Sequence, residues 1–70
     1  MQSLSQTCQG LTYTVKWMFG VPEALTALRN MDIREGSSIQ VIRKYQDCLV
    51  IGASGRRIVL GNEVADRIQV

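Results

Sequence analysis

The chain has 70 residues, no histidine, two cysteines and a formal net charge of +2. A charge this weak does not require a nucleic-acid partner, because proteins that bind nucleic acids usually carry a dense basic stripe. No apolar run approaches the roughly 20 residues of a membrane-spanning helix, and the N-terminus lacks a signal-peptide pattern. We therefore expect a soluble, cytoplasmic protein with one domain over residues 1–70 and a small core.

The first predicted element is a strand over residues 10–19. Strict alternation would place Val15, Trp17 and Phe19 on one face and Met18 on the other. Three large apolar residues in succession, from Trp17 to Phe19, cannot all face inward. Either Trp17 and Phe19 enter the core and Met18 projects outward, or the strand ends early and an aromatic side chain is exposed for a partner.

A short helix is predicted over Pro22–Asn30, because proline suits the first helical turn and apolar residues recur at helical spacing at Leu25, Leu28 and Met31. At about two turns this helix is marginal alone. We expect Leu25 and Leu28 to hold it against a sheet.

Alternating apolar residues after a turn closed by Gly36 predict strands over residues 37–45, 48–53 and 56–60. Ser54 and Gly55 predict a hairpin turn, and Asn62 is expected to cap a helical turn over residues 63–65 before a last strand over 68–70. The residues expected to share one core are Leu25, Leu28, Ile39, Val41, Leu49, Ile51 and Ile58. This order predicts an all-β fold with a short inserted helix, an SH3-like small β-barrel.

Residue patterns typical of catalysis or metal binding are missing from the sequence. It has no Ser-His, Cys-His or phosphate-binding glycine pattern, and Cys8 and Cys48 cannot complete a zinc site by themselves. Asp32, Glu35 and Asp47 are expected to be solvated loop charges rather than iron ligands. We predict no enzyme activity, no cofactor, no metal site and two free thiols, since a cytosolic chain keeps its thiols reduced.

Basic residues form a further candidate site. Arg56 and Arg57 follow the hairpin turn, and Arg43 and Lys44 lie on the preceding strand. Such a cluster can meet phosphate, RNA or an acidic protein surface. Because Arg56 and Arg57 point to opposite faces of a strand, solvated charge that protects strand edges is the favoured interpretation.

A set of residues, mostly glycines and aliphatic side chains, recurs at set distances along nearly the whole chain. Its members are Leu4, Gly10, Leu28, Met31, Asp32, Ile33, Gly36, Ile39, Val41, Arg57, Leu60 and Ile68 to Val70. This order resembles the FeoA family, small cytoplasmic components of bacterial ferrous iron uptake built as SH3-like barrels with an inserted helix. Where Asp32 stands, the family most often has glycine. Glycine there suggests a left-handed backbone position, which aspartate also tolerates.

The resemblance implies a regulatory binding module whose partner is the cytoplasmic GTP-binding part of a FeoB-type membrane transporter. Because the net charge is weak, we expect no nucleic-acid partner. Membrane contact is expected only through that transporter. The same fold occurs in iron-dependent repressors, but no DNA-binding segment precedes the barrel, so we expect a stand-alone accessory protein. The alternative is an RNA- or ribosome-associated SH3-like barrel. The oligomeric state and the direction of regulation stay open.

The predicted partner-binding residues are Met18, Leu25, Arg29, Met31 and Arg34. They lie on or beside the helix and the turn that follows it, where residue types common at interfaces are concentrated. The helix is also an insertion that a minimal barrel does not need. Arg29 and Arg34 can pair with carboxylates of a partner.

Overall fold

The computed structural model describes residues 1–70 and consists of short strands, two helices and one 3-10 turn. The strands are β1 (Thr12–Thr14), β2 (Trp17–Met18), β3 (Ser38–Lys44), β4 (Cys48–Ala53), β5 (Arg56–Gly61) and β6 (Ile68–Gln69). The helices are α1 (Pro22–Asn30) and α2 (Asn62–Ala65), and the 3-10 turn is Leu4–Gln6. The predicted bounds of α1 and β4 are confirmed, and those of β3, β5 and β6 are within a residue.

All strand pairs are antiparallel and form two sheets, one in the order β1-β3-β4-β5 and the other from β2 and β6. The longest ladder joins β4 and β5 around Ser54 and Gly55, whose φ angles are 52° and 75°. Positive φ at both central residues defines a type I′ turn, whose twist matches that of the flanking strands. The predicted hairpin is confirmed.

The core is a cluster of 14 buried apolar side chains. Of the predicted core residues, Leu28, Ile39, Val41, Leu49 and Ile51 are buried, whereas Leu25 and Ile58 are half-buried and pack against the cluster. The cluster also contains Leu4, Val15, Met18, Ile33, Ala53, Leu60, Ala65, Ile68 and Val70.

The N-terminal segment belongs to this core, although no element was predicted there. Gln2 and Val70 exchange two backbone hydrogen bonds of 3.1 and 2.8 Å. The Lys44 ammonium group donates to the carbonyl oxygens of Ser5 and Thr7, at 2.9 and 2.7 Å. Those bonds satisfy carbonyl groups at the end of the 3-10 turn and direct the Lys44 ammonium group toward the N-terminal segment.

The predicted strand over residues 10–19 is wrong, because the chain changes sheets in its middle. The backbone N–H of Val15 donates to Ser37 (2.9 Å), beside β3, while that of Lys16 donates to Gln69 (2.8 Å) on β6. Val15 and Met18 are both buried although they are three residues apart, so the alternation shifts phase between them. Met18 therefore faces the core, and the expectation that it projects outward is wrong.

A second local correction concerns α2, which begins at Asn62 rather than being capped by it. Gly61 holds the N-cap position, with no side-chain hydrogen bond. The Asn62 side-chain amide instead donates to the carbonyl oxygen of Gln46 at 2.9 Å and ties α2 to the turn before β4.

Helix α1 ends in a Schellman motif centred on Asp32. The N–H of Asp32 donates to the Arg29 carbonyl oxygen (3.0 Å) and that of Ile33 to the Leu28 carbonyl oxygen (2.9 Å). Asp32 has a φ of 62°, which confirms the predicted left-handed position. Ile33 and Leu28, the pair whose apolar contact usually accompanies this motif, are both buried.

Truncation of Leu28 tests whether α1 is held by the core. Leu28→Ala should lower the free energy of unfolding by about 2–5 kcal/mol, because the side chain is 3% exposed and its removal leaves a cavity. Leu11→Ala is the matched control: Leu11 is 53% exposed, and the loss should stay below about 0.5 kcal/mol. Equal denaturation midpoints for the two variants would contradict the packing of α1 described above.

The left-handed position of Asp32 predicts a difference between two variants that both lack the carboxylate. Asp32→Gly should be more stable than Asp32→Ala by about 1 kcal/mol, because alanine is strained at positive φ and glycine is not. Chemical denaturation of both variants measures this difference. A more stable alanine variant would show that the turn does not keep this conformation in solution.

Candidate protein-interaction site

An aromatic pair lies on the surface just before α1. Trp17 and Phe19 are 52% and 41% exposed, and their ring centroids are 5.1 Å apart with the planes tilted by 31°. Both project outward because Met18, between them, faces the core opposite Ile68. Val21, at the N-cap of α1, is also exposed. Exposed aromatic and aliphatic side chains grouped in this way are typical of a protein interface.

The side chain of Arg67 adds a positive charge to this group. The Phe19 N–H donates to the Arg67 carbonyl oxygen at 3.1 Å, so the two residues are neighbours. The Arg67 side chain lies over Gly20, where an added Cβ would be 3.6 Å from the Arg67 Cδ. Gly20 also has a φ of 147°, so the turn from β2 into α1 needs glycine for its conformation. We call Trp17, Phe19, Val21 and Arg67 the aromatic surface.

A cluster of charges lies at the other end of α1, which is about 13 Å long. The Arg34 guanidinium donates to the Asp32 carboxylate and to the Arg29 carbonyl oxygen, both at 3.2 Å. Arg56, from the β4–β5 hairpin, approaches the other Asp32 oxygen at 3.5 Å. The carboxylate thus holds two exposed arginines while Arg29 stays free of an ion pair.

The predicted partner-binding residues fall into three groups by exposure. Arg29 and Arg34 are exposed, whereas Leu25 and Met31 are half-buried and pack against the core. Met18 is 5% exposed, so its side chain is not available to a partner. The structure puts the two exposed arginines near the C-terminal end of α1.

Sequence reasoning left Trp17 and Phe19 open between core and interface, and it missed Val21 and Arg67. Alternation alone allows either Met18 or the two aromatic residues to face the core, and it does not decide between these arrangements. The deciding signal is the pair Val15 and Met18, which fit the same core only if the strand is interrupted.

Other kinds of site find less support in the geometry. No three side chains among histidine, cysteine, aspartate and glutamate come together as metal ligands would. Cys8 is exposed and Cys48 half-buried, both as free thiols. Neither helix has the length and apolar character that crossing a membrane requires.

Two antiparallel sheets around one core, with α1 inserted after β2, define the class of SH3-like small β-barrels. The FeoA domain model matches residues 2–70, and the chain belongs to the FeoA family. The membership expected from residue spacing is therefore confirmed. No curated protein matches the chain.

Solved structures agree with this assignment. A crystal structure of the iron uptake regulatory protein FeoA is 27% identical with a TM-score of 0.87, and the match covers 94% of this chain and 89% of that one. Iron(II) transport protein A from Clostridium thermocellum is 24% identical with a TM-score of 0.90, over 97% of this chain and 43% of that one.

The fold also occurs in a different functional setting. A manganese-dependent transcriptional repressor in complex with manganese is 20% identical with a TM-score of 0.90, over 96% of this chain and 34% of the repressor. At this identity the likeness shows a shared fold.

The burial of Met18 and the exposure of Trp17 predict losses of stability of different size for two neighbouring truncations. Met18→Ala should lower the free energy of unfolding by about 2–5 kcal/mol, whereas Trp17→Ala should lower it much less, since half of the indole is already in water. Thermal and urea denaturation of both variants measure this. The reverse order would place the indole in the core and remove the aromatic surface.

Proposed function

We propose that this protein is a regulatory accessory protein of ferrous iron uptake that binds the cytoplasmic GTP-binding part of a FeoB-type membrane transporter. The observation that carries the proposal is the FeoA match over residues 2–70. The similar proteins named iron uptake regulatory protein and iron(II) transport protein A support it. In this proposal residues 1–70 act as one domain in the cytoplasm, without catalysis, and meet the membrane only through the transporter.

The proposed contact surface is the exposed side of α1 with the groups at its two ends. The aromatic surface supplies apolar area that is exposed to solvent, and Trp is among the residues most enriched at the centres of interfaces. Arg29 and Arg34 supply charge at the opposite end, where they can pair with carboxylates. The backbone of this surface is held against the core by the side chains of Met18, Leu25 and Met31.

Because β2 and α1 are anchored in the core, the surface needs little rearrangement to bind. Met18 and Leu28 are buried at its two ends, and the Schellman motif fixes the turn that carries Arg34. A surface that is ordered before binding loses less conformational entropy in the complex.

The proposal is tested by isothermal titration calorimetry with the purified GTP-binding domain of a FeoB-type transporter from the same genome. Trp17→Ala should weaken binding by about 30-fold, as loss of a hot-spot aromatic residue does. Arg29→Ala should weaken it by about tenfold through loss of a charged contact.

Leu11→Ala is the control, since it removes an equally exposed apolar side chain away from α1. Circular dichroism verifies that each variant folds. If the parent protein does not bind the domain, the proposed partner is wrong. If the parent binds and both α1-surface variants bind equally well, the contact lies elsewhere on the barrel.

A further inference from the structure

The outer face of the four-stranded sheet carries side chains that take no part in the core. Strand pairing sets them in two rows across the sheet. One row joins Thr12, Gln40, Gly52 and Arg57, and the other joins Arg43, Val50 and Val59. Ile42 lies at the β-bulge of β3, between the rows. We call these residues the outer sheet face.

Two adjoining grooves run over the outer sheet face. One lies over Gly52 and extends to the hairpin turn, and the other lies beside Arg43, Tyr45 and Val50. Ile42 and Arg57 line both, so the two grooves meet at these side chains. Their volumes, about 460 and 360 Å³, suit several side chains rather than a single inorganic ion.

Gly52 shapes the first groove. Its backbone lies in the middle of β4 and does not need the positive φ that only glycine adopts easily. A Cβ at this position would lie 3.3 Å from the Ile42 Cδ1 and 3.9 Å from the Gln40 Cβ. Glycine inside a strand weakens the strand and often marks the close approach of a ligand or another backbone. Here it makes room for the Ile42 side chain, which lies against the Gly52 backbone and lines both grooves.

All charged residues that line the two grooves are arginines, and one of them, Arg56, is paired with Asp32. Arg56 and Arg57 line the first groove and Arg43 and Arg57 the second, and no carboxylate lines either of them. Neither Arg43 nor Arg57 forms an ion pair within the chain. Both guanidinium groups are therefore available to carboxylates from outside.

We propose that the outer sheet face binds an extended, acidic segment of a partner protein. Carboxylates of the segment pair with Arg43 and Arg57, and its backbone runs across the outer sheet face between them. Apolar side chains of the segment contact Ile42, Val50 and Val59, the last of which is 67% exposed. An alternation of acidic and apolar residues matches a surface on which aliphatic and arginine side chains are interleaved.

A nucleic acid fits the same face less well. Proteins that bind single strands stack bases on aromatic side chains, and only Tyr45 is aromatic among the residues that line the grooves. The aliphatic side chains of the rows also have no counterpart on a phosphate backbone. A peptide segment is therefore the occupant that accounts for both the charge and the apolar area.

The test uses nuclear magnetic resonance of the full chain labelled with ¹⁵N, titrated with synthetic peptides. The first probe is a short peptide of alternating glutamate and valine, and its control has lysine in place of glutamate. The acidic peptide should shift the amide signals of Val50, Gly52 and Arg57, and the basic peptide should not. No transporter domain is present, so the result is independent of the function proposed above.

Variants locate the contact. Arg57→Ala and Arg43→Ala should each weaken binding of the acidic peptide by about tenfold. Gly52→Ala should also weaken it, because the added Cβ would lie 3.3 Å from the Ile42 Cδ1 and displace a side chain that lines both grooves. Gly61→Ala, at a position with nothing within 4 Å of the added Cβ, should not. The arginine variants keep the proposal testable if Gly52→Ala fails to fold.

Three results would overturn the proposal. The first is an acidic peptide that shifts no signal on the outer sheet face, and the second is equal binding of the lysine peptide. The third is tighter binding of oligothymidylate than of the acidic peptide, which would assign the face to nucleic acid.

Discussion

The burial of both Val15 and Met18 is the constraint on which the arrangement of the barrel depends. A chain of this size has a core of only 14 apolar side chains, so each contributes a substantial share of its stability. One continuous strand cannot bury residues three apart, because its side chains alternate. The chain leaves the four-stranded sheet after Val15, pairs with β6 instead, and so brings the two sheets over one core.

The same phase shift produces the candidate interface. With Met18 inside, Trp17 and Phe19 both project toward solvent, where their rings lie 5.1 Å apart and about half of each residue is exposed. Helix α1 follows at once, and at nine residues it is too short to persist without packing. Leu28 and Ile33 provide that packing at its C-terminal end. The C-terminal end of α1 is therefore held in place by residues of the core, and Met18 anchors the strand that precedes its N-terminal end.

Features set by local interactions could be predicted from the sequence. Proline at the start of α1, the Ser54-Gly55 turn and the left-handed position of Asp32 each depend on a few neighbouring residues, and all three are confirmed. The pairing of β2 with β6 could not be predicted, because Trp17 and its partner Gln69 lie far apart in the sequence. For the same reason Met18 was placed on the wrong side. The exposed arginines of the site were accessible to sequence reasoning, whereas Arg67 reaches the aromatic surface only through the fold.

Asp32 connects the α1 surface with the outer sheet face. Its carboxylate holds Arg34, next to Arg29, and also approaches Arg56, which lines the groove over Gly52. Exposed ion pairs of this kind contribute about 0–1 kcal/mol, so a carboxylate of a ligand can replace Asp32 on Arg56 at little cost. After such a replacement Asp32 would pair only with Arg34. With Arg56 drawn to the ligand, the net positive charge at the C-terminal end of α1 would fall. Binding at one surface can therefore change the affinity of the other by no more than the free energy of this ion pair. The effect is the same whichever surface binds first, because coupling between two binding sites is reciprocal.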